Sequence, residues 1–546
     1  MAISIDCVNA FNSIKRETIV NSLKANPGLS PIYRLAALSL GRSKICITEN
    51  GKTHAILSSN SGVRQGSVLG PILFCLGLQP VLNRIVNTTS SKIIAYMDDI
   101  LIVNSSFIEA QQTLDALTAM LQQIGLQVNR NKTHSLFSPS SFTIGGTKII
   151  NEGVIAKSLG AAMYQQNIDP AILQDWVTNR MMRMDPFFLA LSRCPLSAPH
   201  AMVLLRNCAL GKANFLLRTH PGEATLQAAS WFDLRVEQCV KRYIGEDITD
   251  MAMSLYRLPC AKGGLGLRSQ VELVDVAYNA AVAALNLGGN NQQQREVSQQ
   301  LDELFETQLR TSMSVEECIH LNSIQQSSVA SFALTIRDEV FKYAIRSRGL
   351  LPTTPFNSSC KCGASATTDH LYRCAAAPRE RIGRHDVVKR ILAAAAEKRF
   401  STRIEPILCD DLMKKRPDLL ILTPEGEVAV DVSIIYSVVT PPQKAATLKH
   451  QKYKYITENG SVFIPFIVTH CGAFHEECED LFRIVAPSLE ERSELKQSII
   501  TAVLNWNFKI CRALCPTQIG TCDDDEILPH LREGQDDLPE DRCEDV

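Results

Sequence analysis

The stretch Ile93-Ile94-Ala95-Tyr96-Met97-Asp98-Asp99-Ile100-Leu101-Ile102-Val103 decides the fold around it. Two apolar runs flank a pair of adjacent aspartates. Continuous apolar runs of this kind predict strands buried on both faces, and the break at Asp98-Asp99 predicts a tight hairpin turn. A buried carboxylate is costly unless it is paired, protonated or bound to a metal. An ordinary Asp-rich turn is the competing interpretation, and other segments of the chain decide between the two.

A third carboxylate, Asp6, ends another predicted strand near the start of the chain. Transfer of a nucleotidyl group needs two divalent cations, which activate the attacking 3′-hydroxyl and stabilise the leaving pyrophosphate. Magnesium prefers hard oxygen ligands, so clustered aspartates are the expected protein contribution. Asp6, Asp98 and Asp99 therefore form a candidate two-metal site.

Short segments between these acids carry further polar and aromatic side chains. The first is Phe11, which follows Asp6 by five residues. The second is the loop 62–67, which contains the cation Arg64 and the amide Gln65. The third is the segment 125–132, which ends in Lys132. A core aromatic is the competing interpretation for Phe11, and a solvated surface lysine is the competing interpretation for Lys132.

Taken together, these segments resemble the reverse transcriptases of non-LTR retrotransposons. The motifs D-x-x-N-A-F-N, G-x-R-Q-G, Y-x-D-D, G-L-x-x-N-x-x-K and K-S-L-G follow one another in family order, starting at Asp6, Gly62, Tyr96, Gly125 and Lys157. The resemblance extends to about residue 285, because a glycine-rich segment at 263–267 also follows the thumb in such proteins.

The resemblance implies a right-hand polymerase palm followed by a helical thumb. It implies Asp6, Asp98 and Asp99 as ligands of two Mg²⁺ ions and Lys132 as a proton donor to pyrophosphate. It further implies a substrate-binding group, in which Phe11 is the steric gate against a 2′-hydroxyl. The other members of that group are Arg64, Gln65, Gly66 and Tyr96.

Two departures from the family pattern concern the same region. Met97 stands where the family more often has alanine, and Ser67-Val68-Leu69-Gly70-Pro71 differs from the usual, more acidic version of that loop. The resemblance also places fingers segments before the first catalytic strand. We therefore expect an N-terminally truncated polymerase in which the fingers are largely missing.

A second constellation has the spacing C-x-C-x7-H-x3-C, formed by Cys360, Cys362, His370 and Cys374. Three thiolates and one imidazole at short spacing suit a closed tetrahedral zinc site. The intervening residues 363–368 lack large apolar side chains, so a metal is needed to order them. Chance clustering is the alternative, since the chain has 18 cysteines. The same family carries a Cys-Cys-His-Cys knuckle between polymerase and endonuclease, which this segment resembles.

A third constellation pairs Asp418, at the start of a predicted hairpin, with Asp431 on its second strand. Two acids on adjacent strands can hold a metal that activates water for phosphodiester hydrolysis, and a nearby lysine can stabilise the developing charge. Lys449 and Lys452 lie on one face if their segment is helical. A salt-bridged surface hairpin beside a basic helix is an equally good interpretation of these residues.

This third constellation also resembles a known domain, the restriction-enzyme-like endonuclease of site-specific non-LTR elements. The resemblance implies Asp418 and Asp431 as ligands of one or two Mg²⁺ ions, with Lys449 or Lys452 as the catalytic lysine. Glu405 is a weaker candidate ligand.

Composition limits the remaining possibilities. With 45% hydrophobic and 21% charged residues, the 546-residue chain is typical of a soluble globular protein of several domains. Neither a signal sequence nor an apolar run of membrane-spanning length is present. The net charge of -1 conceals an acidic segment at 523–546, so the remaining chain is mildly basic. Without a secretory signal, the cysteines are expected to be reduced thiols.

The sequence thus predicts an α+β multidomain protein. Its function would be that of an RNA-directed DNA polymerase with a DNA-nicking endonuclease, using an RNA template, a genomic DNA target and dNTPs in the nucleus. The alternatives are a decayed or repurposed fragment that binds nucleic acid without polymerase activity, and an endonuclease that retains a palm scaffold. The expected domains are the palm at 1–160, the helical thumb at 161–285, a helical linker region at 286–355, the zinc knuckle at 356–378, an α/β restriction-endonuclease-like domain at 379–515 and an acidic disordered tail at 516–546.

Overall fold

The computed structural model divides the chain into two compact units, each with its own core. The first unit contains residues 1–193, 207–237 and 269–301, and the second contains 194–206, 238–268 and 302–546. The residues described are 1–41, 43–49, 52–64, 66–286, 292–325, 335–353, 359–406 and 416–515. The predicted acidic tail at 516–546 and Gln65 lie outside them.

The beginning of the first unit alternates strands and helices, as the sequence predicts. In chain order its elements are β1 (Ala2–Ile5), α1 (Ala10–Ser13), α2 (Arg16–Lys24), α3 (Tyr33–Leu40), β2 (Ser43–Glu49), β3 (Lys52–Ser59), α4 (Gly70–Thr88), β4 (Lys92–Tyr96), β5 (Asp99–Val103), α5 (Phe107–Gln123), β6 (His134–Leu136), β7 (Thr143–Ile144), β8 (Thr147–Lys148), β9 (Ile150–Asn151), β10 (Ile155–Ser158) and β11 (Ala161–Tyr164).

A five-stranded sheet in the order β4-β5-β1-β6-β9 lies at the centre of this region. The central strand β1 pairs antiparallel with both β5 and β6, and its residues Ile3 and Ile5 are fully buried. Helices α4 and α5 pack their apolar stripes, including Phe74 and Leu117, into the same core. Burial of these stripes stabilises the helices against the sheet.

The predicted hairpin at 93–103 forms, but the expectation that both strands are buried on both faces is wrong for β4. Ile94 is 49% exposed and Tyr96 is 59% exposed. The physical reason is the position of β4 at the edge of the sheet, where it pairs with β5 alone among the described strands. In β5, which has neighbours on both sides, Ile100 and Ile102 are buried.

A mainly helical region follows, although the segment 161–285 begins with a strand. The predicted boundary at 160 falls inside the antiparallel β10–β11 hairpin. The helices are α6 (Pro170–Met182), α7 (Asp185–Arg193), α8 (Ala198–Leu204), α9 (Leu210–Thr219), α10 (Gly222–Ile244), α11 (Asp250–Arg257) and α12 (Val274–Asn286). Residues Leu205–Ala209 form a π-helical turn between α8 and α9.

The remainder of the chain contains helices and one further sheet. Its elements are α13 (Gln292–Thr311), α14 (Val315–Gln325), α15 (Asp338–Arg348), α16 (Thr368–Arg373), α17 (Pro378–Glu397), β12 (Ser401–Ile404), β13 (Leu419–Thr423), β14 (Gly426–Ile435), α18 (Pro442–Lys452), α19 (Lys454–Glu458), β15 (Val462–Thr469), α20 (Cys478–Val485) and α21 (Leu489–Leu514).

In this second unit the strands run in the order β12-β13-β14-β15. The predicted hairpin is present as β13 and β14, and β15 pairs parallel to β14 after the crossover through α18 and α19. Residues Leu419, Val430 and Phe466 pack with α17, α20 and α21 in one core. The α+β class is therefore confirmed, and no helix among the described residues has the length and apolarity needed to cross a membrane.

Candidate active sites and metal centre

The strand pairing gathers the three palm aspartates at one end of the first sheet. Ile5 of β1 faces Ile100 of β5, so Asp6, the next residue, lies beside Asp99 at the start of β5. Tyr96 and Asp99 form the last pair of the β4–β5 hairpin, and Met97 and Asp98 make its two-residue loop. Met97 has a φ of 55°, the left-handed conformation that the first loop residue of such tight hairpins requires.

Charge repulsion acts among these three acids. Burial raises the pKa of Asp99, and the neighbouring charges of Asp98 and Asp6 raise it further, while Lys157 opposes the shift. The carboxylate oxygens of the three residues do not all lie within 4.8 Å of one another, so the acids are more widely spaced than the cysteine and histidine ligands described below. Hard oxygen ligands with excess negative charge fit Mg²⁺, which would remove the repulsion.

The substrate-binding candidates occupy different environments around this cluster. The ring of Phe11 is half-buried and stacks on Phe74 of α4, with centroids 4.6 Å apart and planes at 13°. Phe11 therefore contributes to core packing, in line with the competing interpretation. The remaining described candidates, Arg64, Gly66, Tyr96 and Lys132, are exposed to solvent.

Arg16, which sequence reasoning missed, fixes the start of the Gly62–Gly66 loop. Its Nε donates to the carbonyl oxygen of Gly62 at 2.9 Å, and its Nη1 donates to the carbonyl oxygen of Ser59 at 2.7 Å. Gly62 has a φ of 70°, and a Cβ at this position would lie 2.4 Å from Asn12 Cα. The loop therefore needs a glycine here, which accounts for the first glycine of its motif.

The predicted zinc ligands converge in the second unit. Sγ of Cys360 lies 3.6 Å from Sγ of Cys374, and Sγ of Cys362 lies 3.2 Å from Nε2 of His370. All four ligand atoms lie within 4.8 Å of one another. Bonds of about 2.3 Å to sulfur and about 2.0 Å to nitrogen give ligand separations near these values, so the four residues fit Zn²⁺.

The local backbone explains why the four ligands meet. Cys360 and Cys362 lie in a tight turn, in which Gly363 has a φ of 87° and Cys360 N–H donates to the carbonyl oxygen of Ala364 at 2.8 Å. His370 and Cys374 lie on α16 and at its C-terminus. The guanidinium of Arg381 donates to the carbonyl oxygens of Leu371, Tyr372 and Cys374. Arg381 thereby caps the helix end that carries the last ligand.

Asp418 and Asp431, the predicted nuclease acids, lie on adjacent strands of the second sheet. Leu419 pairs with Val430, which places Asp418, just before β13, opposite Asp431 on β14. Oδ2 of Asp418 accepts hydrogen bonds from Val432 N–H at 2.6 Å and from His385 Nε2 at 3.2 Å. Burial alone would raise the pKa of Asp418, but these hydrogen bonds favour the carboxylate and hold its pKa below the ordinary value.

Asp431 is buried, with 4% of its surface exposed, and one cationic and one neutral side chain contact its carboxylate. Nζ of Lys449 contacts Oδ2, and the hydroxyl of Tyr453 contacts Oδ1. Lys452 instead lies at the surface, with its ammonium 4.6 Å from the ring centroid of Tyr453. Of the two lysines that the sequence left open, Lys449 is the one in contact with the acid.

Glu405, the weaker candidate ligand, is held close to Asp418 by the backbone. Its N–H donates to the carbonyl oxygen of Asp418 at 2.9 Å, and its carboxylate pairs with the buried Lys389. Each of the three acids thus has a basic partner on a neighbouring helix. His385 on α17 and Tyr453 between α18 and α19 were missed from the sequence, because a single histidine or tyrosine gives no motif. Their contacts appear only in the folded chain.

Comparison with known proteins bears on the palm directly. Residues 1–149 match the family model described as Reverse transcriptase (RNA-dependent DNA polymerase). This segment is therefore similar to reverse transcriptases. Asp6, Asp98 and Asp99 lie within it, so the comparison supports the resemblance to that family.

Two curated retrotransposon proteins are similar over most of the chain. The Retrotransposable element SLACS 132 kDa protein of Trypanosoma brucei gambiense is 26% identical over 93% of this chain and 45% of its own length. The Retrovirus-related Pol polyprotein from type-1 retrotransposable element R2 of Popillia japonica is 22% identical over 80% of each. The chain therefore spans less than half of the first relative, and both similarities continue beyond the reverse transcriptase domain.

Proposed function

We propose that this chain is an RNA-directed DNA polymerase of the non-LTR retrotransposon type. The observation that supports it is the convergence of Asp6, Asp98 and Asp99 at one end of the sheet of a reverse transcriptase domain. Two Mg²⁺ ions bound by these carboxylates would supply charge stabilisation for nucleotidyl transfer. The substrates would be dNTPs and a primer paired to an RNA template.

Primer extension on an RNA template with dNTPs and Mg²⁺ tests this proposal. We expect the intact chain to extend the primer and the Asp98→Ala/Asp99→Ala double variant to show no extension. Asp115→Ala is the matched control, because Asp115 is an exposed acid on α5 whose side chain bonds only locally to Gln111. Failure of the intact chain to extend the primer would contradict polymerase activity in this chain.

We further propose that the second unit contains a DNA-nicking endonuclease, so that a nicked genomic strand primes reverse transcription. Asp418, Asp431 and Lys449 support this, because two acids on adjacent strands and one lysine can hold a metal and the phosphate it acts on. Asp418 and Asp431 would be the Mg²⁺ ligands. Glu405 would orient Asp418 through the backbone hydrogen bond between them.

Nicking of supercoiled plasmid tests the nuclease independently of the polymerase. We expect Mg²⁺-dependent nicking that Asp418→Ala abolishes. Glu427→Ala is the matched control, since Glu427 is an exposed acid on the same hairpin, hydrogen-bonded to Ser461 at 3.2 Å. Equal nicking by Asp418→Ala and the intact chain would contradict the assignment.

The domain order that accompanies this function is also a proposal. The palm would occupy 1–160, the thumb 161–285, the linker region 286–355, the zinc knuckle 356–378 and the nuclease 379–515. The knuckle would bind Zn²⁺ through Cys360, Cys362, His370 and Cys374 and contact nucleic acid. The similarity to two retrotransposon proteins beyond residue 149 supports a single polyprotein. Its place of action would be the nucleus.

A further inference from the structure

A second cluster of metal-binding side chains lies in the second unit, apart from the four predicted zinc ligands. His320 lies on α14, and His470 and Cys471 directly follow β15. One ligand atom from each of the three lies within 4.8 Å of the other two. The residues are 5%, 2% and 4% exposed, so they are buried together.

One imidazole nitrogen of each histidine in this cluster is not satisfied by the surrounding protein. Nε2 of His320 and Nδ1 of His470 are buried and have no hydrogen-bond partner. Leaving such an atom unpaired costs about 1–3 kcal/mol. A bound ion that accepts the lone pair of a buried imidazole would remove this cost for that nitrogen.

Nε2 is the nitrogen of the His320 ring that would bind an ion, because it is buried and has no hydrogen-bond partner. In metal sites the second ring nitrogen of such a histidine usually faces a polar group of the protein.

The backbone at His470 and Cys471 is also fixed without any ion. His470 N–H donates to the carbonyl oxygen of Ile435 at 2.8 Å, and its carbonyl oxygen accepts from Asn507 Nδ2 at 2.7 Å. The carbonyl oxygen of Cys471 accepts from the buried Arg348 guanidinium at 3.3 Å. The two ligands are therefore held in place before a metal arrives.

The distance between sulfur and nitrogen matches that in the other cluster. Sγ of Cys471 lies 3.2 Å from Nε2 of His470, the same separation as between Cys362 and His370. A thiol-to-imidazole hydrogen bond would give a similar distance, but it leaves His320 Nε2 without a partner. An ion shared by Sγ of Cys471 and Nε2 of His470 would also give Nε2 of His320 a partner.

We propose that His320, His470 and Cys471 bind a second zinc ion, with a water molecule as the fourth ligand. Two imidazoles and one thiolate are ligands that Zn²⁺ accepts in a four-coordinate site. The ion would join α14 to the end of β15. It would thereby connect the linker region to the nuclease sheet, and a chelator that removes the ion would break this connection.

The number of zinc ions bound per chain, measured in the purified full-length protein after equilibration with Zn²⁺, tests this proposal. We expect two zinc ions per chain in the wild type and one in the Cys362→Ser/His370→Ala variant. Adding Cys471→Ser to that variant should remove the remaining ion. Cys478→Ser is the matched control, because Cys478 is also buried but its thiol bonds to the carbonyl oxygen of Ile467.

Two further measurements distinguish loss of a metal site from loss of the folded state in the variants. In the wild type, Co²⁺ should bind in two equivalents, each giving a thiolate-to-cobalt absorption band. In the Cys362→Ser/His370→Ala variant, Zn²⁺ should raise the thermal midpoint, since a ligand that binds only the folded state stabilises it. A wild type that binds one ion, or a folded knuckle variant that binds none, would overturn the proposal.

Discussion

Replacing Lys449 by alanine should impair the proposed nuclease through one identifiable contact. The ammonium of Lys449 touches Oδ2 of Asp431, and the two side chains are 23% and 6% exposed. Its loss leaves Tyr453 as the partner that contacts this carboxylate. A hydrogen bond to a charged group contributes about 1.5–3 kcal/mol, and the partial exposure of the lysine favours a value of about 2 kcal/mol.

The loss of this contact should be detectable both in the stability of the fold and in the rate of the nicking reaction. About 2 kcal/mol corresponds to roughly a 30-fold change in an equilibrium constant. Hydrogen exchange at the β14 amides should therefore accelerate by about that factor if they exchange through opening of the nuclease region. Loss of one charged donor at a reacting phosphate typically slows the reaction about 10²–10³-fold, so plasmid nicking should fall by that amount.

Lys452→Ala is the matched control for this experiment. It removes an ammonium from the same helix, three residues later, where the group lies over the Tyr453 ring and at the surface. We expect its single-turnover nicking rate to stay within about threefold of the wild type, as for most surface substitutions. If Lys452→Ala causes the large loss and Lys449→Ala does not, the assignment of the catalytic lysine is refuted.

Three other predictions follow from contacts elsewhere in the chain. Hydrogen bonds from Arg346 hold the pKa of Asp247 below its ordinary value. The pair therefore stabilises the fold above pH about 4. This stabilisation is lost as the pH falls through the pKa of Asp247 in the folded protein. Thermal midpoints of wild type and Arg346→Ala should accordingly differ at pH 7 and converge in acid. Gly62→Ala should abolish primer extension and lower the midpoint, because its Cβ would clash with Asn12. Gly66→Ala should lower the midpoint less, because its φ of 81° strains the backbone but its Cβ meets open space. Arg381→Ala should weaken zinc binding at the knuckle by about 10–100-fold in a competition titration with a chelator, as for other residues that orient metal ligands.

Much of the fold could be predicted because its signals are local. The apolar runs on either side of Asp98-Asp99 predicted β4 and β5, and the hairpin that carries Asp418 and Asp431 was predicted as β13 and β14. The spacing of Cys360, Cys362, His370 and Cys374 likewise predicted a cluster that the structure brings together. Such groups can be predicted because residues separated by only a few positions in the chain must also lie close together in space.

Features that depend on distant segments could not be predicted in the same way. The exposure of β4 follows from its edge position, which is set by the order of strands rather than by its own residues. The contact of His385 with Asp418 spans 33 residues, and the approach of His320 to His470 spans 150. Nothing in either histidine's neighbourhood in sequence indicates the partner it reaches.

The pairing of each nuclease acid with a basic side chain has a consequence for the order of binding events. At the palm, the three aspartates repel one another, so an arriving cation lowers the free energy at once. In the proposed nuclease, a cation would instead have to compete with the Lys449 ammonium for an oxygen of Asp431. A DNA phosphate would offer that ammonium another partner. If DNA raises the affinity for the metal in this way, the metal must raise the affinity for DNA by the same factor. Such a centre would bind magnesium weakly alone and more tightly when DNA is present.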